Sequence, residues 1–154
     1  MKNVLELLER TAARLPRQTA FADQQCSYDY QTVVNIAGSV GSALAANGDR
    51  NCPVAVLMER GAPCLVTLMG VLYSGNFYVV LDPEMPAERV NKILRTLQPT
   101  ALICDEAHKD DPAGLDYDGK VYSAEALAAG QAQPELLQTV RRRMIDTDPA
   151  YAIF

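Results

Sequence analysis

The chain of 154 residues carries a formal net charge of -5 and is 49% hydrophobic and 21% charged. That is the composition of one folded domain able to bury roughly 70% of its unfolded surface, which excludes a disordered chain. The charge argues against nucleic acid, whose phosphates call for concentrated Lys and Arg; the basic run Arg141-Arg142-Arg143 reads as the solvated end of a helix.

Residues 1–154 read as a single α/β domain. Asn3 can cap a first helix with Val4, Leu5, Leu8, Ala12 and Leu15 at helical spacing, and Pro16 ends it. Thr19–Asp23 and Cys26–Tyr28 are short extended runs around Gln24-Gln25, as in a hairpin. A longer helix is predicted from Asp29 to Asn47, with Val33, Ile36, Ala37, Val40 and Leu44 inward and Gly48 as its stop. Pro53–Met58 is a β-type run, Glu59-Arg60-Gly61 a turn, and Pro63 opens an apolar helix that ends at Gly75. Phe77–Leu81 has the continuous apolar character of a strand buried on both faces.

Asp82-Pro83 and Pro86 break that strand, because proline fixes φ and lacks a donor. The next helix presents Val90, Ile93, Leu94 and Leu97 on one face. Thr100–Cys104 is another buried strand, and Asp105–Asp118 an exposed loop. Lys120–Tyr122 is a short strand, Ser123 caps a brief helix through Ala129, Pro134–Met144 is a final helix, and Ala150–Phe154 a last strand. This alternation predicts a three-layer fold, a mostly parallel sheet with helices on both faces. In such folds the ligand lies beyond the carboxyl ends of the strands.

Residues that carry chemistry are sparse. Cys26, Cys52, Cys64 and Cys104 form no C-x-x-C pair and His108 is the only histidine, so no zinc site is expected. Reduced cysteines predict a cytoplasmic protein. Glu6, Glu9, Arg10 and Arg14 exclude a signal peptide, and the apolar run Ala62–Tyr73 is too short to cross a bilayer. Gly38-Ser39-Val40-Gly41 lies inside a helix and lacks the preceding strand that a phosphate cradle needs; its small residues, with Ser42 and Ala45, suit close helix packing. His108 has no evident partner and reads as a solvated loop residue, while Asp105-Glu106 and Asp110-Asp111 match no cation loop. Asp82, at the end of a buried strand, is either a functional carboxylate or one that caps the turn at Pro83 or pairs with Arg89. Tyr28, Tyr73 and Tyr78 either line a pocket or belong to the core.

Two stretches resemble the AMP-forming acyl-adenylating enzymes, the superfamily of peptide-synthetase adenylation domains, acyl-CoA synthetases and luciferase. Ser27-Tyr28 matches its first signature, a Leu-Thr/Ser-Tyr-x-Glu-Leu run, whereas Cys26, Tyr30 and Gln31 depart from it. Leu72, Gly75, Tyr78, Val79, Leu81, Asp82, Pro83, Pro86 and Arg89 match the second, with Tyr73, Ser74, Phe77 and Val80 departing. Ala101–Cys104 and Asp148–Phe154 are similar to later strands of that fold, and the family's phosphate loop would begin immediately after Phe154.

The resemblance implies an amino-terminal portion of an ATP- and Mg²⁺-dependent ligase. Such a ligase forms an acyl-adenylate and passes the acyl group to the thiol of CoA or a carrier protein. LDPEMPAERV is closer to the amino-acid enzymes than to the fatty-acyl ones. No catalytic, cofactor-binding or metal-binding residue of the family carries over onto this chain. The expectation is therefore a scaffold inactive alone, which self-associates or pairs with a carboxy-terminal half and contacts neither nucleic acid nor membrane. The alternative is a stand-alone or split-enzyme α/β interaction or nucleotide-binding module.

Overall fold

The computed structural model describes residues 3–154. Helix α1 (Leu5–Arg14) leads into an antiparallel hairpin of β1 (Thr19–Ala22) and β2 (Ser27–Asp29), and α2 (Tyr30–Ala45) follows at once. Asp29 caps α2 by accepting from the backbone N–H of Thr32 at 2.8 Å. Next come β3 (Pro53–Leu57), α3 (Ala62–Tyr73), β4 (Phe77–Leu81), α4 (Ala87–Leu97) and β5 (Ala101–Cys104), then β6 (Lys120–Ser123), α5 (Ala124–Ala128) and α6 (Pro134–Arg143).

Among the described residues, β3 to β6 form one parallel sheet in the order β4-β3-β5-β6. Successive side chains of a strand point to opposite faces, and each face of this sheet meets its own helices. Val54 and Val56 of β3 pack with Val40 and Leu44 of α2 and Leu68 and Val71 of α3. Ala55 and Leu57 point the other way, to Val90, Ile93 and Leu94 of α4. A third cluster joins Leu5 of α1, Val33 and Ala37 of α2 and Leu72 of α3. Burying a side chain such as Leu102 or Ile103 contributes roughly 1.5–3 kcal/mol, against about 0–1 for an exposed ion pair. The sheet is therefore held by its faces.

Placing α3 and α4 on opposite faces follows from topology. The chain steps from β3 outward to β4, then back across β3 to β5, so right-handed crossovers put the two helices on opposite sides. Where α2 meets α3, glycine sets the distance. A Cβ on Gly70 would lie 2.5 Å from Cβ of Val40, and one on Gly41 2.5 Å from Cβ of Tyr73. Ser39 and Ser42 continue this stripe by bonding the segment around α5 and α6: Ser39 donates to the Leu127 carbonyl at 2.6 Å, and Ser42 accepts from the Gln133 N–H at 2.8 Å.

Four expectations need correction. Ala150–Phe154 forms a single parallel bridge, Tyr78 with Tyr151, rather than a strand, because beyond it Ile153 is 83% exposed and has nothing to pack against. The 105–118 segment is two tight 3₁₀ turns, Glu106–His108 and Asp111–Gly114, with Pro112 buried and Leu115 and Tyr117 packed under α4. Val4 and Leu15, grouped with Leu5, Leu8 and Ala12 at helical spacing, flank α1 and are exposed, since its buried face is carried by Leu5 and Ala12. Arg141 is not a free solvated cation: it reaches back to both carboxylate oxygens of Glu9, at 2.9 and 3.2 Å, and lies over the ring of Tyr73.

The α2–α3 contact makes a direct prediction. Gly70→Ala gains up to about 1 kcal/mol of helix propensity but forces a contact that overpacking data put at about 1–3 kcal/mol. Net destabilisation is expected in urea unfolding, whereas Gly114→Ala, which meets nothing within 4 Å, stays within about 0.5 kcal/mol of the parent.

Candidate functional site

The sheet has one place where neighbouring connections part. After β3 the chain leaves towards β4, and after β5 it leaves towards β6, so the carboxyl ends of β3 and β5 border a crevice that no crossover fills. Met58, Glu59, Arg60 and Gly61 form one wall and Asp105 and Ala107 the other, with Asp23 and Cys26 of the hairpin turn and Glu125 of α5 closing a cleft of about 480 Å³. A second cleft, of about 550 Å³, lies beside it at the carboxyl ends of β3 and β4 and includes Arg60, Tyr78, Asp82, Met85 and Phe154.

Asp105 sits at the end of β5 and joins the two walls. One carboxylate oxygen accepts from the Glu59 N–H at 2.8 Å; the other accepts from the His108 N–H at 3.1 Å and lies 2.6 Å from His108 Nδ1. The remaining ring nitrogen of His108 is 3.4 Å from a carboxylate oxygen of Glu59. His108 is thus only 14% exposed and has two carboxylate partners, which corrects the reading of a solvated loop histidine. Hydrogen bonding to Asp105 raises its pKa above the ordinary 6.5, with the Asp105, Asp111 and Glu59 charges adding to the effect.

Asp23 plays the matching part from the hairpin. Its side chain accepts from the N–H groups of Gln25 (2.7 Å), Cys26 (2.8 Å) and Ala62 (2.8 Å), the last at the start of α3. The approach requires Gly61, because a Cβ there would stand 2.6 Å from the Asp23 carboxylate. Glu125 accepts from the Glu106 N–H at 3.0 Å and from the Ser123 hydroxyl at 3.2 Å.

Asp82 caps its turn through the Glu84 N–H at 3.0 Å and pairs with Arg60 at 2.6 Å, not with Arg89. Backbone hydrogen bonding first, and then Arg60, hold its carboxyl below the usual range. Tyr78 lines the second cleft, its ring stacked on Tyr151 at 5.9 Å. Tyr28 packs against the cluster between α1, α2 and α3, while Tyr73 is buried in it and donates to Glu9 at 2.9 Å. Gly38 and Gly41 are packing positions. Burial pushes the thiols of Cys64 and Cys104 up, away from nucleophilic thiolates. Sequence reasoning missed Asp23, Glu59 and Asp105 as a connected set; Asp23 followed two residues later by Gln25 and three later by Cys26 was the available signal, that of a side chain turning back on its own backbone.

The donors present do not fit ATP and Mg²⁺. Among the described residues no three His, Cys, Asp or Glu side chains form a metal-holding group. Around the crevice Asp23, Asp105 and Glu125 already accept backbone N–H bonds, and the cation Arg60 is paired with Asp82. Phosphates would meet an acidic rim there.

Asp23 makes this edge sensitive to acid. Its backbone hydrogen bonds lower its pKa from 3.8 to about 2, so their contribution to stability is complete above 3.8 and is lost as pH falls through about 2. Acid titration of the thermal midpoint is expected to show a shallower decline over that window in Asp23→Asn than in the parent.

Comparison with known proteins agrees with this architecture. The family model for the AMP-binding enzyme matches residues 8–154. One of the plipastatin synthase polypeptides of Bacillus subtilis strain 168 is 27% identical over 135 residues, 87% of this chain and 4% of the synthase. A mycosubtilin synthase polypeptide of Bacillus subtilis is 30% identical over 125 residues, 80% of this chain and 5% of the synthase. The chain thus spans only about one twentieth of these relatives. VinN, solved in complex with L-aspartate, shares the fold with a TM-score of 0.79 at 19% identity, covering 97% of this chain and 43% of VinN. The parallel sheet, the helices on its two faces and the match along nearly the whole chain make this protein a member of the AMP-binding enzyme family.

Proposed function

We propose that the chain is the amino-terminal part of an ATP-dependent ligase that activates an amino acid as its adenylate and passes it to a thiol. A carrier protein fits that acceptor better than CoA, because the similar curated proteins are peptide synthases. The observation that carries the reading is the family match from residue 8 to residue 154, together with similarity to a plipastatin synthase polypeptide over 87% of the chain. VinN, solved with L-aspartate, supports an amino acid over a fatty acid.

Within such a ligase these residues act as scaffold. Catalysis of phosphate chemistry rests on backbone N–H groups, a metal ion and free cations aimed at developing charge. Here the N–H groups of Glu59 and Ala62 at the carboxyl edge are already bonded to carboxylates, and the Arg60 side chain is held by Asp82. By itself the chain is catalytically silent. Val80, Tyr151 and Phe154, each 43–58% exposed, leave apolar surface beside the outer edge of β4, which the chain itself covers with only the single bridge at Tyr151; the remainder of the ligase is the natural partner there and a second copy its substitute in isolation.

Calorimetric titration of the chain with ATP·Mg²⁺ and with AMP, an amino-acid-dependent ATP–pyrophosphate exchange assay and a light-scattering mass test the reading together. No binding heat, no exchange and a dimer or larger species are expected. Saturable micromolar nucleotide binding by a monomer overturns the scaffold reading in favour of a self-sufficient nucleotide-binding module.

A further inference from the structure

We propose that His108 is a proton-operated latch across the crevice between β3 and β5: protonated, it ties Glu59 to Asp105, and neutral, it lets the Glu59 side chain go. The inference is independent of the ligase reading and rests on the asymmetry of the two contacts the ring makes. Its Nδ1 lies 2.6 Å from Asp105, and an N–H is present there in the protonated ring and in one neutral tautomer alike. Its Nε2 lies 3.4 Å from the Glu59 carboxylate. With the proton of the neutral ring held on Nδ1 by Asp105, Nε2 carries a lone pair, which faces carboxylate oxygen with no hydrogen between them. Losing one proton therefore leaves the Asp105 contact intact and converts the Glu59 contact from attraction to repulsion.

The rest of the site makes that contact the one free to respond. The backbone of Glu59 stays pinned, because its N–H donates to Asp105 at 2.8 Å whatever the ring does. Its side chain, by contrast, is 73% exposed and can swing into water. The charged groups facing the ring are Asp105 on its own turn, Glu59 from the loop after β3 and Asp111 from the following turn; all three are acidic and favour the charged imidazole. These groups consequently shift the transition upward from the ordinary histidine value.

What moves lies at the rim of both clefts. Glu59 precedes Arg60, which lines the crevice and, through its ion pair with Asp82, the neighbouring cleft as well. Loss of the proton removes one positive charge from a crevice already lined by Asp23, Asp105 and Glu125 and leaves a fourth carboxylate unpaired beside Arg60. A ligand or partner approaching this edge meets a rim whose charge follows the protonation of His108.

Because His108 is the only histidine, its ring signals are unambiguous in a proton–carbon NMR titration between about pH 5 and pH 9. In the parent chain the backbone amides of Glu59, Arg60 and Gly61 are expected to shift with the ring's own midpoint. Glu59→Gln should move that midpoint downward and abolish the coupled shift at Arg60, with the amide dispersion of a folded chain retained. His108→Gln should leave the same amides flat across the range. A ring midpoint unchanged by Glu59→Gln, or amides of Glu59 to Gly61 that ignore the ring's titration in the parent, would overturn the latch.

Discussion

Everything in this molecule leans on β3 being used on both edges and both faces. It pairs with β4 on one side and β5 on the other, and its residues feed two hydrophobic clusters alternately. A strand so placed leaves no freedom of register. A slip of one residue would turn Val54 and Val56 towards α4 and Ala55 and Leu57 towards α2 and α3, exchanging the contents of both cores. The reversal of the chain about β3 then dictates which helix covers which face, and the same reversal opens the crevice at its carboxyl end.

That crevice shows how an α/β fold closes an edge with carboxylates. Asp23, Asp105 and Glu125 come from the hairpin, from the end of β5 and from α5, and each takes backbone N–H groups from a neighbouring segment. Charge-assisted hydrogen bonds of this kind are stronger than neutral ones, and they tie together, at the carboxyl ends of the strands, elements that the hydrophobic clusters already join below. The arrangement gives the crevice of this AMP-binding family member an acidic rim whose carboxylates are engaged by its own backbone.

The helices and the central strands were legible in the sequence because their signals are local. Glycine or proline punctuates both ends of the α3–β4–α4 stretch, and Gly75 adopts the positive φ of 81° that its position implied. The end of α4 was less visible, since Gln98 takes the left-handed conformation at a site where glycine is the usual marker. The site was harder still. Asp82 was singled out by strand position, but its partner Arg60 lies 22 residues away, and nothing local distinguishes Arg60 from Arg89. Glu59 and Asp105 are 46 residues apart, so the pairing of their loops exists only once β3 and β5 lie side by side. His108 looked solvated because its neighbours in sequence are polar, whereas one of its two carboxylate partners, Glu59, comes from a loop in another part of the chain.

The Glu9–Tyr73–Arg141 cluster has a bearing on how the chain assembles. Glu9 and Arg141 are 132 residues apart, and Asn51 and Asp148 are 97 apart, so these polar contacts close loops that contain most of the elements described. Loop-closure entropy grows only slowly with length, and the final structure therefore carries such ties at modest cost. During synthesis the order is less forgiving. The Glu9 carboxylate can meet Tyr73 midway through translation, but its guanidinium partner does not exist until α6 has been made. Helix α1, the first of these elements to be made, is thus among the last of them to acquire its full set of contacts, and Leu8 waits with it for α6, whose Leu137 packs against the same cluster.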